Sequence, residues 1–138
     1  MSSEEGSVTL WLLGLVLIIL AMGGLAIDLW RGFNERRALA GIADSAAIAG
    51  AAALDEAAFR NHGNVRLEPA AAESLAARSV RGQSDTAAMT GFSATADSDQ
   101  VTVVVQGSVD LTLLRLMSSD QGPLRISVRA TVAPRGSP

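Results

Sequence analysis

Fourteen acidic side chains, eleven arginines and one histidine are the groups with which this 138-residue chain could do chemistry, and their spacing gives them little to do. A general acid–base pair needs two titratable groups within reach of one substrate. Glu4-Glu5, Asp55-Glu56 and Glu68 form no such pair, and His62 stands in a polar stretch, Arg60-Asn61-His62-Gly63-Asn64, with no nucleophile pattern beside it. The chain contains no GxSxG, no HExxH, no phosphate-binding GxxxxGK and no tyrosine. Having no cysteine, it has no thiol nucleophile, thiolate metal site or disulfide framework. Asp97 and Asp99 are near enough to share a calcium ion, but Asp97-Ser98-Asp99-Gln100 has the composition of a turn, which accounts for both. No catalytic, cofactor-binding or metal-ligating residue is therefore expected, and no small-molecule substrate. A net charge of −3 with scattered arginines also argues against a nucleic-acid partner.

The elements say more than the side-chain chemistry does. Val8 to Ile27 is a run of twenty residues in which Thr9 is the one clearly polar side chain, and it closes at Asp28. A helix of that length matches a hydrocarbon core of about 30 Å and satisfies its own backbone polar groups without water. A cleaved secretory signal has a basic start and a shorter apolar stretch. Here the start is acidic and the run long, so a retained membrane anchor is expected. Beyond it only Gly32, Gly41 and Gly50 interrupt residues that favour or tolerate helix, which predicts one continuous helix from about Ser7 to Ala58.

Arg31, Glu35, Arg36 and Arg37 form a charged collar where this helix leaves the headgroups, with Arg31 spaced to pair with Asp28 along one face. Asp28, at the edge of lipid, either belongs to that collar or pairs with a neighbouring subunit. Small residues then recur every fourth position, as Gly41, Ser45, Ala49, Ala53 and Ala57 and as Ala43, Ala47 and Ala51. Such ridges let helix backbones approach closely. They would pack either on the chain's own domain or on other helices, with Leu39, Ile42, Ala46 and Leu54 adding larger contacts near the same side.

After the polar break, Pro69 suits a first helical turn, and Ala72, Leu75, Ala76 and Val80 give a short amphipathic helix over 70–81. The period then changes to two. Phe92, Ala94 and Ala96 alternate with polar neighbours. From Val101 the odd positions to Leu113 are apolar except Gly107, predicting one long strand bent at that glycine. Ile126, Val128, Ala130 and Val132 make a last strand. The expected fold class is α+β: a single N-terminal transmembrane helix continuing into a long alanine-rich helix, followed by a short helix and a small three-stranded antiparallel sheet. The expected divisions are a leader at 1–6, a membrane helix at 7–30, an exposed continuation at 31–60 and a small head at 65–138.

Three stretches together resemble a known family. Gly6-Ser7-Val8-Thr9, an apolar helix ending Gly24-Leu25-Ala26-Ile27-Asp28, and Glu35-Arg36-Arg37-Ala38-Leu39 followed by Ile42 to Ala51 are similar to the N-terminal signature of TadE/TadG-like proteins of tight-adherence (Flp) pilus assembly. The resemblance covers about residues 6–53. It implies a single-pass protein of the bacterial cytoplasmic (inner) membrane or the pilus itself, with a cytoplasmic N-terminus and an extracytoplasmic C-terminal domain. Its partners would be other pilin-like or Tad assembly proteins, or copies of itself. In relatives cut by a prepilin peptidase, Gly6 and Ser7 would flank the cut. Here the fifth residue after Gly6 is Trp11 rather than glutamate, and the leader is acidic. Arg31, Arg36 and Arg37 favour the opposite orientation by the positive-inside rule, although Asp28 and Glu35 share that border. The implied role is a pilin-like structural subunit or assembly factor of a Tad/Flp-type pilus or related secretion machine. The alternative is a membrane-tethered extracytoplasmic binding module outside any filament.

Overall fold

In the computed structural model, which describes residues 4–83, 87–112 and 122–134, three helices precede three strands. Helix α1 (Glu4–Ala51) is followed by α2 (Glu56–His62), α3 (Pro69–Arg81), β1 (Met89–Ala96), β2 (Val101–Val109) and β3 (Leu124–Val132). The chain has the expected α+β architecture. At the α-helical rise, the 48 residues of α1 span about 72 Å.

The strands form one antiparallel sheet in the order β1-β2-β3. Alternation decides which face is covered. Val101, Val103 and Val105 point inward from the central strand and are wholly buried, each worth roughly 1.5–3 kcal/mol of apolar burial. Phe92, Ala94 and Ala96 join them from β1, and Ile126, Val128, Ala130 and Val132 from β3. Thr102 and Thr131 meet on the opposite face, their Oγ1 atoms 3.1 Å apart, beside exposed Thr95, Gln106, Ser127 and Arg129. The covering layer is α1 and α3. Helix α3 buries Ala72, Ala76 and Val80, and its Glu73 carboxylate accepts the Ala96 N–H at 3.0 Å, tying the helix to the end of β1. The Arg81 guanidinium lies 5.9 Å over the Phe92 ring.

Helix α1 supplies the largest share of that layer, which corrects two expectations. Residues 31–60 do not project freely, because Leu39, Ile42, Ala43, Ala46 and Ala47 are core residues packed with the inner face of β2. The head therefore reaches back along α1 well before residue 65. The helix also stops at Ala51 rather than near Ala58. The Ala52 and Ala53 amides tighten onto Ala49 and Gly50 carbonyls, and the chain then pairs briefly with the segment before α3: Asp55 N–H to Arg66 C=O at 2.8 Å, Glu68 N–H to Ala53 C=O at 3.0 Å. Asp55 caps a new helix, its Oδ1 accepting the Ala57 and Ala58 amides at 3.0 Å. Arg60, Asn61 and His62, read as a break, lie inside α2, which ends at Gly63 with φ of 68°.

Gly107 does not interrupt β2, which pairs with β3 without a break from Val101 to Val109. The irregularity is a bulge at Thr90 on the facing strand, where Met89 pairs with Gly107 but Gly91 with Gln106. Strand β2 ends at Val109, short of the expected limit; Leu113 lies outside the described residues.

Candidate functional site

Three features of α1 bear on function, and they follow one another along its axis. The first is the apolar segment, whose side chains from Val8 to Ile27 are largely exposed, in a helix long and apolar enough to cross a membrane. Trp11 and Trp30 stand at its two ends, 72% and 69% exposed. Nineteen positions separate them, about 28 Å along the helix, close to the thickness of a hydrocarbon core. Tryptophan concentrates at membrane–water boundaries because its ring is apolar and its N–H polar, so the pair marks both borders of the span. The chain is anchored through this helix. The Gly6–Ser7 bond lies within the first turns of α1.

The second feature is Asp28, two positions inside the outer tryptophan. It is 2% exposed, and its Oδ1 accepts the Thr112 N–H at 3.2 Å. Thr112, three residues after the end of β2, thus meets the carboxylate at the membrane border. The expected pairing with Arg31 is not formed: Arg31 is exposed and makes no ion pair among the described residues. The reason is rotational. Asp28 opens the stripe that continues through Gly32, Glu35, Leu39, Ile42, Ala46 and Gly50, every one of them at least half-buried against the head. Arg31 lies off that stripe.

The third feature is the division of the two small-residue ridges. Ala43 and Ala47 are fully buried under the head, whereas Gly41 and Ser45 are exposed and Ala49 is half-buried between them and the core. Ser45 Oγ donates to the Ile42 carbonyl at 3.0 Å and accepts Gln83 Nε2 at 2.7 Å. Ala53, expected on the same ridge, is buried beyond the end of the helix, and Ala57 sits on α2. Leu54 is likewise past the end of α1 and half-exposed. Past Leu39, the open face of α1 is thus Gly41, Asp44, Ser45 and Ile48.

Two glycines read in the sequence only as a helix interruption and a strand bend have a packing role in this arrangement. A Cβ on Gly50 would meet Val101 Cγ1 at 2.9 Å and the Ala72 carbonyl at 3.0 Å; one on Gly107 would meet Leu39 Cδ1 at 2.5 Å and the Ala88 carbonyl at 2.7 Å. At these glycines α1 comes close to α3 and to the sheet, with no room for a side chain. Of the acidic turn, Asp97 Oδ1 accepts the Asp99 and Gln100 amides at 2.8 Å, closing the connection between β1 and β2. His62 ends α2 on the surface.

No curated protein matches this chain, and no solved structure does. Residues 6–53, the membrane helix and the part of α1 that builds the head, match the family model described as "Putative Flp pilus-assembly TadE/G-like", so the first third of the chain is similar to TadE/G-type proteins of pilus assembly.

Proposed function

We propose that this chain is a pilin-like, membrane-anchored structural subunit or assembly factor of a Tad/Flp-type pilus or related secretion machine, acting by helix–helix packing. The observation that carries this reading is one unbroken helix serving both compartments. Helix α1 crosses the membrane, forms a wall of the head with one face, and leaves Gly41, Ser45 and Ile48 open on another. A rigid rod with a small-residue flank suits lateral packing against similar rods, since small side chains let backbones approach closely. The head lies outside the cytoplasm in this reading, as in the TadE/G-like relatives that the N-terminal segment resembles.

Gly41 gives the cleanest test, because a Cβ there meets nothing within 4 Å and the head does not depend on it. The native chain has no cysteine, so Ile48→Cys places a single thiol on the open face. In intact membranes this variant should form cross-links to a neighbouring protein or a second copy, and adding Gly41→Leu should abolish them. Cross-linking at Ile48 no greater than at an outer-sheet position such as Ser93 would overturn the packing role and leave the tethered binding module as the better account.

A further inference from the structure

A cleft of about 360 Å³ opens between α1 and the start of β3 immediately beyond the membrane span. Its walls are Leu29 and Phe33 on the helix, Leu111 after β2 and Leu124 on β3, and Arg36 and Arg125 lie along it. We infer that this cleft binds an anionic phospholipid of the leaflet that borders the head, with the phosphate held between Arg36 and Arg125 and the upper acyl chain or glycerol against the apolar walls.

Depth supports this. Trp30 marks the border of the hydrocarbon core, and Arg36 lies six positions further on, about 9 Å along the axis. Headgroup regions add roughly 5–8 Å on each side of the core, so the Arg36 backbone stands just outside them, and a helical side chain, which leans back toward the N-terminus, brings the guanidinium to the phosphates. Charge supports it as well. Both arginines border the cleft, both are exposed and neither makes an ion pair among the described residues, so two guanidinium groups, each able to bind phosphate through paired N–H donors, are available at its rim. Asp28 reaches the floor of the cleft, but its carboxylate is turned inward to the Thr112 N–H and only 2% exposed.

Continuity with the anchor identifies the occupant. The apolar wall begins at Leu29, next to the membrane-spanning run, and Phe33 is 68% exposed one turn later. A soluble ligand would have to leave these groups in water or in lipid, whereas a phospholipid already in the leaflet covers them without leaving it. The size is at the lower end of ligand-binding clefts, about 300–1,000 Å³, and fits a glycerophosphate group with part of a chain. The proposal rests on residues 8–27 crossing the membrane but not on the direction in which they cross.

The test is native mass spectrometry of the full chain released from micelles holding phosphatidylglycerol and phosphatidylcholine in equal amounts. Wild-type protein should retain phosphatidylglycerol over phosphatidylcholine by roughly tenfold or more, as expected for two arginines acting near an anionic surface. Arg36→Gln with Arg125→Gln should bring the ratio close to parity at an unchanged unfolding midpoint, and Arg129→Gln, on the outer sheet face, should leave the preference intact. Equal retention of both lipids by wild type, or a preference that survives the double variant, overturns the site. Alkaline extraction of native membranes separates this from failure of the anchor: release of the protein would refute the membrane span and the lipid site with it, whereas resistance combined with equal retention refutes the lipid site alone.

Discussion

The Thr112 amide donates to Asp28 Oδ1 at 3.2 Å across 84 positions of sequence, joining the loop after β2 to the helix at the border of the membrane. Leu39, the first core residue of α1, lies eleven positions further along, so without this contact the head's hold on the membrane end of the helix would rest on the half-buried Gly32 and Glu35. Asp28→Ala removes the acceptor of that amide from a buried site. It should lower the unfolding free energy of the head by roughly 1.5–3 kcal/mol, with Asp28→Asn costing less because its side-chain carbonyl still accepts. Hydrogen exchange in micelles should show the Thr112 amide losing protection in the alanine variant while Val103 and Val105 keep theirs. Equal loss throughout the sheet would mean that Asp28 supports the whole fold rather than this junction.

Gly50 and Gly107 should respond to alanine in the opposite sense from Gly41. At Gly107 the nearest obstacles are a flexible leucine end and a backbone carbonyl, and the carbonyl cannot yield without moving the bulge. Overpacking of this kind costs about 1–3 kcal/mol. Gly41→Ala meets nothing and should gain about 0.5–1 kcal/mol from helix propensity. Thermal unfolding of the three single variants compares them directly, and a Gly107→Ala protein as stable as wild type would contradict the packing described.

The sheet was legible because its alternation is unbroken: Val101, Val103 and Val105 form the buried row and Thr102 and Gln106 the opposite one. Helix α3 was legible for a similar reason, since Pro69 marks its start and Ala72, Ala76 and Val80 share one face. The end of α1 was not, because alanine is as content in a continued helix as in a stopped one, and what draws the chain away after Ala51 is the pairing of residues 53–55 with Arg66, Leu67 and Glu68, which lie in another segment. The two small-residue ridges also look alike in sequence. Leu39 and Ile42, both buried, show which side faces the head, yet their placement on the wheel gains meaning only once the sheet is there to meet them. Asp28 was noticed, but its partner is brought by the β2 loop and leaves no local signal.

Asp55 offers a check on the break itself. Its carboxylate accepts the first free amides of α2, and its own N–H pairs with Arg66, so it holds the chain away from a continued helix. Asp55→Ala should lose about 1 kcal/mol of stability, the ordinary worth of an N-cap, while Asp55→Asn or Asp55→Ser should keep most of it. Stability unchanged by alanine would show that the Leu54–Leu67 bridge alone ends α1.

Asp97 makes the turn between β1 and β2 sensitive to acid. The Asp99 amide first, and the Gln100 amide after it, donate to its carboxylate and hold its pKa below the ordinary value of 3.8. These bonds favour the ionised form, so the folded state binds a proton less readily than the unfolded chain. The resulting stabilisation is present in full above the unfolded value, near pH 3.8, and is lost as pH falls through the lower value of the folded state. Asp97→Asn keeps the shape and one acceptor but does not titrate. The stability gap between wild type and this variant should therefore be constant near neutrality and close as the solution is acidified below pH 3.8. The group is fully exposed, so the gap should also shrink when salt is added. Urea unfolding across an acid series measures both dependences, and the subtraction isolates Asp97 because other carboxylates titrate alike in the two proteins. A gap that persists unchanged into acid would mean that the turn is held by the Asp97–Gln100 backbone pair, whose N–H and C=O lie 3.0 Å apart, and that the carboxylate adds nothing.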